Sequence, residues 1–285
     1  MQDGGFKNAD ARSRFLRQYE EVRALSPAPD AVHDVKTRYG TVRVYQHGPD
    51  RGIPLLLIPG FFLTSAMWWA QVDRLAGDFT VYAMDPLGQP GASVQSKAMR
   101  TPKDSSRCLD ATLDGLGLQH VHVVGHSYGG WLATHTAARV PGRLATLTLV
   151  DPAATVARLS ARFWMSLALQ GRPNTPRARR AADWITGHPT LAELFGAGFA
   201  HYGPPIRTPT ARLINDRLLR SVHLPVQVLL AGNSVHDSAT GIHRIRSVVP
   251  GWQYRLWPCN SHALPIERAS EVNDSIRCFV AENPV

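Results

Sequence analysis

The sequence predicts an α/β architecture, with a mostly parallel central sheet, helices on both faces and one inserted helical cap. Three observations carry this expectation. Short apolar runs alternate with segments whose apolar residues recur every third or fourth position, which is the pattern of strands covered by helices. A hairpin pattern precedes them and supplies an antiparallel edge. The alternation breaks once, over about 70 residues of helical pattern, too long for a loop and too short for a comfortable second domain.

Taken in order, Phe15, Tyr19, Val22 and Leu25 recur at helical spacing until Ser26-Pro27-Ala28-Pro29 stops them, so an amphipathic helix opens the chain on the domain surface. From Val32 to Gln46 two strands turn around Tyr39-Gly40. The apolar runs that follow are 54–59, 79–84, 121–124, 145–150, 226–231 and 253–257. Between them, three sets fall on single helix faces: Trp68, Val72, Leu75 and Ala76; Leu109, Leu113 and Leu116; and Val272, Ile276, Phe279 and Val280. The break between Val150 and Val226 has helical patterns at 161–169 and 211–219. Residues 153–222 are therefore expected to form the helical cap of a single 285-residue domain.

Composition excludes several classes. At 44% hydrophobic the chain can bury a sizeable core, yet no stretch approaches the about 18 apolar residues of a membrane span. The opening MQDGGFKNADARSRFLRQYEE lacks a secretory apolar core, so a soluble cytoplasmic protein is expected. Cys108, Cys259 and Cys278 are odd in number and lack metal-ligand spacing, which predicts structural thiols and no metal. The formal charge of +9 comes almost entirely from arginine. Its nearest approach to a basic block, Arg177-Ala178-Arg179-Arg180, is short and lies among Pro and Ala, so a solvated surface is expected and no nucleic-acid partner.

The chemistry points to Val121-His122-Val123-Val124-Gly125-His126-Ser127-Tyr128-Gly129-Gly130-Trp131, a buried strand entering Gly-x-Ser-x-Gly and then a helix. A nucleophile on so sharp a turn needs glycine neighbours to let the backbone fold tightly. Ser127 is the candidate nucleophile. A serine hydroxyl needs a base, and His262, directly after the last strand and before the final helix, opens on the same sheet edge. His126 is expected to point away from the substrate side. An oxyanion needs two backbone donors, predicted at the amides of Tyr128 and, in the loop after Leu57-Ile58-Pro59-Gly60, Phe61.

These residues resemble the α/β-hydrolase superfamily, and within it the capped carboxylesterase-like serine hydrolases, over residues 36–282. Besides the elbow, Asp85-Pro86-Leu87-Gly88-Gln89-Pro90-Gly91-Ala92-Ser93 is similar to the family's Asp-x-x-Gly-x-Gly-x-Ser turn. Asn260-Ser261-His262 with Glu267 is similar to its terminal Gly-His and downstream Glu, and Leu149-Val150-Asp151-Pro152-Ala153-Ala154-Thr155 to its turn after the sixth strand. The departures are Pro59-Gly60 where relatives carry His-Gly, Gln89-Pro90 in place of a glycine, and Gly232-Asn233-Ser234-Val235 with no acid at the usual offset. The resemblance implies a carboxylate to orient His262. Asp237, in the loop where the family's acid belongs, is preferred; Asp151 is the alternative, and Asp85 is read as structural.

It further implies hydrolysis of a carboxylic ester, thioester or lactone through an acyl-enzyme on Ser127, which needs no cofactor. Acyl transfer, thioester release, a lyase step or slow-turnover ligand binding are the alternatives on this fold. The expected partner is a small, hydrophobic acyl substrate. Residues 153–222 hold ten arginines against three acids, together with Phe163, Trp164, Met165, Trp184, Phe195, Phe199 and Tyr202. These aromatics either form the cap's own small core, with the arginines facing water, or line a substrate pocket.

Overall fold

The computed structural model describes residues 5–172, 175–203 and 208–284. Helix α1 (Ala9–Arg23) is capped by Asn8 and buries Ala11, Phe15, Tyr19 and Val22. It ends before Leu25, which is exposed. Strands β1 (Ala31–Thr37) and β2 (Gly40–His47) pair antiparallel as the expected hairpin. There follow β3 (Ile53–Ile58), a 3-10 turn at Ser65–Trp68, α2 (Trp69–Leu75), β4 (Phe79–Met84) and the two-residue β5 (Val94–Gln95). The next elements are α3 (Pro102–Gly115), β6 (Val121–His126), α4 (Tyr128–Ala137) and β7 (Leu144–Val150).

Between β7 and β8 lie α5 (Ala161–Leu169), α6 (Pro176–Thr186), α7 (Pro189–His201) and α8 (Asp216–Arg220). The chain closes with β8 (Val226–Asn233), α9 (Ser238–Val248), β9 (Gln253–Ser261), α10 (Leu264–Glu267) and α11 (Ala269–Glu282). Strand order is β1-β2-β4-β3-β6-β7-β8-β9, with β5 against β2. From β4 to β9 every pairing is parallel, and β2 meets β4 antiparallel.

The continuous apolar runs follow from burial of both sheet faces. Along β3, Leu55 and Leu57 join the core on one side while Leu56 and Ile58 join the other, as the two-residue period of a strand requires. Burying each of these side chains stabilises the fold by about 1.5–3 kcal/mol. On the first side, α1 is tied into the core by the Tyr19 hydroxyl, which donates to Asp85 Oδ2 at 3.0 Å.

The helix expected at 211–219 is confined to α8. Tertiary bonds hold the preceding residues out of the helix: the Tyr128 hydroxyl takes the Pro209 carbonyl at 2.9 Å, Trp131 Nε1 takes that of Arg212 at 2.9 Å, and Ile214 N–H bonds Ala154 O at 2.9 Å. The helix starts where Asn215 caps it.

Candidate active site

Three strand ends converge: Ser127 follows β6, Asp151 follows β7 and His262 follows β9. This carboxyl edge is where open α/β sheets hold ligands. Ser127 adopts φ 50, ψ −115, a strained conformation for a residue with a side chain. It is fixed there because its N–H bonds Val150 O at 3.0 Å and its carbonyl accepts from Ala153 N–H at 3.1 Å. The glycines are steric necessities. A Cβ on Gly125 would lie 2.6 Å from Gly129 C, and one on Gly129 would lie 2.2 Å from Ile58 O.

The candidate base and a buried carboxylate sit side by side. His262 Nδ1 donates to Asp151 Oδ2 at 2.5 Å, and both residues are buried. Asp151 is gripped further by Ser234 Oγ on Oδ2 at 2.5 Å and by Ala231 N–H on Oδ1 at 3.0 Å, with His236 Nε2 at 3.4 Å from Oδ1. Burial alone would raise its pKa, but the His236 ring, the bond from His262 and the Ser234 hydroxyl outweigh burial and bring it to about 2. Asp151 is thus the carboxylate presented to His262.

Asp237, the acid preferred from the sequence, is not. Its side chain is exposed and caps α9, accepting from Ala239 N–H at 2.9 Å, Thr240 N–H at 3.2 Å and the Thr240 hydroxyl at 3.0 Å. Those bonds hold its pKa below the usual carboxylate range. The loop after β8 turns Ser234 and His236 inward, so its Asp falls one residue beyond the inward-facing stretch.

His126 also departs from expectation. Its ring does not point away from the site: Nε2 donates to the His262 carbonyl at 2.9 Å, and the two ring centroids are 4.6 Å apart. Burial, then the neighbouring His262, push its pKa down to about 3. On the other side of His262, Glu267 accepts from Ser261 N–H at 2.8 Å, Ser261 Oγ at 2.5 Å and Asn260 Nδ2 at 3.0 Å, which fixes the approach to the histidine.

A stability prediction follows from His126. Its folded pKa lies below the unfolded value of 6.5, so below pH 6.5 the unfolded chain takes up a proton that the folded one refuses, and stability falls with pH. From pH 7 to pH 5 this ring should remove about 2 kcal/mol. Urea unfolding at both pH values should show a drop smaller by that amount in His126→Gln. Equal drops in the two proteins would assign the acid sensitivity to other groups.

The loop after β3 lies against the elbow. A Cβ on Gly60 would come within 3.2 Å of Ser127 Cβ and 2.9 Å of His126 Nδ1. Phe62 has φ 58, and its N–H donates to Gln89 Oε1 at 2.7 Å, so Gln89 shapes this loop. The Phe62 amide is thereby engaged, next to the Phe61 amide expected from sequence. Tyr128 opens α4, where first-turn N–H groups lack partners within the helix.

Asp85 is structural, as read from sequence. Its buried carboxylate accepts from Ser65 N–H at 2.8 Å, Ala92 N–H at 2.7 Å and the Tyr19 hydroxyl. Burial raises its pKa against those bonds.

The site is nearly closed, with Ser127 6% exposed. The aromatics near it form a wall: Phe61 lies 4.6 Å from Phe62 and 5.9 Å from Tyr128, and Phe62 lies 4.3 Å from Phe199 of α7, centroid to centroid. The surface groove between Arg158, Trp164, Ile214 and Arg244 does not include Ser127. Ser234, His236 and the contact from His126 escaped sequence reasoning; the first two were detectable only as neighbours of a candidate acid in one loop.

Comparison with known proteins agrees with this fold. Residues 53–194 match the family model for the α/β hydrolase fold. Carboxylesterase YbfK of Bacillus subtilis (strain 168) is 26% identical over 287 residues, spanning 96% of this chain and 96% of that protein. The crystal structure of naproxen esterase (carboxylesterase NP) from Bacillus subtilis superposes with a TM-score of 0.88 at 24% identity, covering 96% of this chain and 99% of that one. That of carboxylesterase CesB (YbfK) from Bacillus subtilis gives a TM-score of 0.88 at 25% identity, covering 97% and 100%.

Proposed function

The chain belongs to the α/β-hydrolase fold family, and from that premise we propose that it is a serine carboxylesterase in which Ser127, His262 and Asp151 act as nucleophile, base and orienting acid. The observation that carries this reading is the buried Asp151–His262 pair beside a serine on a strained elbow. His262 takes the Ser127 proton as Oγ bonds to the acyl carbon. The amides of Phe61 and Tyr128 receive the oxyanion. Collapse of the tetrahedral species breaks the bond to the alkoxy oxygen, and His262 returns the proton to the departing alcohol. Water then repeats the sequence on the acyl-enzyme and frees the acid and Ser127.

Asp151, kept ionised by its neighbours, holds the His262 tautomer and stabilises the imidazolium. The substrate is a small ester with an apolar acyl group, a reading supported by the Phe61, Phe62 and Phe199 wall and by the carboxylesterase relatives. The described residues of 153–222 act as a cap over the site, with Phe199 and Tyr202 against Phe62. A cytoplasmic location is supported by the exposed free thiols of Cys259 and Cys278, which a reducing compartment preserves.

The test is covalent. A fluorophosphonate at neutral pH should label Ser127 alone, as read by mass spectrometry of the digest, and Ser127→Ala should lose both labelling and hydrolysis of activated acyl esters. Retention of both by Ser127→Ala would overturn the proposal.

A further inference from the structure

Helix α5 leaves a large apolar face outward, although Phe163 is buried and Leu167 packs against the core. Phe163, Ser166 and Gln170 turn inward and are buried. Trp164 is 44% exposed, Met165 63% and Leu169 38%, and Ala161 and Ala168 are exposed with them. Positions 161, 164, 165, 168 and 169 make one continuous helical stripe. Scattered apolar residues on a surface need no explanation, but an ordered stripe opposite two buried polar side chains does.

The surroundings are basic. Residues 158–186 contain six arginines and one acid, Asp183, a formal charge of 6 − 1 = +5. Arg158, Arg162, Arg172, Arg177, Arg179 and Arg180 are all exposed. An apolar stripe with Trp, Met and Leu in a basic stretch of chain is the composition of a helix that lies in a lipid–water interface, with the apolar side chains at the acyl boundary and the cations among headgroup phosphates. Two copies of this chain meeting through the same face would bring two such positive surfaces together, which charge opposes.

We propose that the outer face of α5 docks the protein onto an anionic lipid surface. The helix is well placed to report that contact to the site. Ser160, its N-cap, donates its N–H to Val235 O at 2.8 Å, and Leu159 pairs with His236, within the loop whose Ser234 and His236 flank Asp151. The docking is independent of the hydrolytic reading, because its readout is binding.

The experiment is vesicle co-sedimentation of the full chain, with phosphatidylcholine alone and with equal parts phosphatidylcholine and phosphatidylglycerol. Partitioning to the mixed vesicles should exceed that to phosphatidylcholine by at least about tenfold and fall steeply with added salt. The double substitution Met165→Asp with Leu169→Asp should weaken it by about tenfold or more, and Arg172→Gln with Arg180→Gln should remove most of the preference for phosphatidylglycerol. Unchanged circular dichroism, and hydrolysis of a water-soluble short ester within about twofold of wild type, would show that the variants are folded. Equal partitioning of the Met165/Leu169 variant, or no preference for the anionic vesicles, overturns the proposal. So does a concentration-dependent dimer in sedimentation velocity that the same variant abolishes, which would make the stripe an interface between copies.

Discussion

Asp151→Asn should lower kcat for an activated ester by about 10⁴-fold while leaving the fold intact, because the amide cannot hold the His262 tautomer or stabilise the imidazolium. The geometry makes this substitution severe. Oδ2 already receives His262 Nδ1 and Ser234 Oγ, each at 2.5 Å, so an amide nitrogen there would oppose two donors. If the amide flips to place its nitrogen at the other position, it opposes the Ala231 N–H instead. Neither orientation restores a charge. Asp237→Asn is the control, since the exposed Asp237 accepts its hydrogen bonds from the first turn of α9 and Asn is an equally good cap. Its kcat should stay within about twofold and its stability within about 0.5 kcal/mol. The two variants are compared by burst kinetics after circular dichroism, and the reverse ranking would return the acid to Asp237.

This pair of aspartates marks where the sequence stops being legible. The elbow is local: six strand residues, a serine and its glycines lie within one short segment, although the atoms that Gly129 must clear, Ile58 O and Pro59 O, belong to the end of β3. Burial on both faces turns strands into continuous apolar runs, so the parallel sheet could be read, its strand ends differing by a few residues. The acid is non-local. Asp151 and His262 are 111 positions apart, and which carboxylate meets the imidazole depends on how far the loop after β8 travels before α9 begins. Two residues turned inward at Ser234 and His236 are enough to leave Asp237 outside. The 211–219 segment fails for a related reason, since helical spacing there yields to carbonyls taken by Tyr128 and Trp131 from a different element. Helix α5 was found by its period, but the period does not say which face is the buried one.

Gly129→Ala should reduce turnover by at least about hundredfold and lower the melting temperature, although the substituted residue touches no substrate. A Cβ at this position would sit 2.2 Å from Ile58 O and 2.7 Å from Pro59 O, both of them backbone atoms at the end of β3 that no rotamer change can move aside. Relief requires α4 and β3 to separate by about 1 Å, and displacements of that size cost about 10²-fold when they misplace reacting groups. The separation acts on both proposed oxyanion donors together. Tyr128 precedes Gly129 in α4, and Phe61 lies two residues beyond Pro59, so the gap between their amides widens as the helix retreats. Removing one such donor costs about 10²–10³ in kcat, so even a partial loss of alignment at two of them accounts for the predicted fall. Gly77→Ala is the matched control: nothing lies within 4 Å of its added methyl and its backbone is not left-handed, so kcat and melting should match wild type. If Gly129→Ala kept kcat within about threefold, the close approach of α4 to β3 would not set the oxyanion site, and the donors would have to be sought elsewhere.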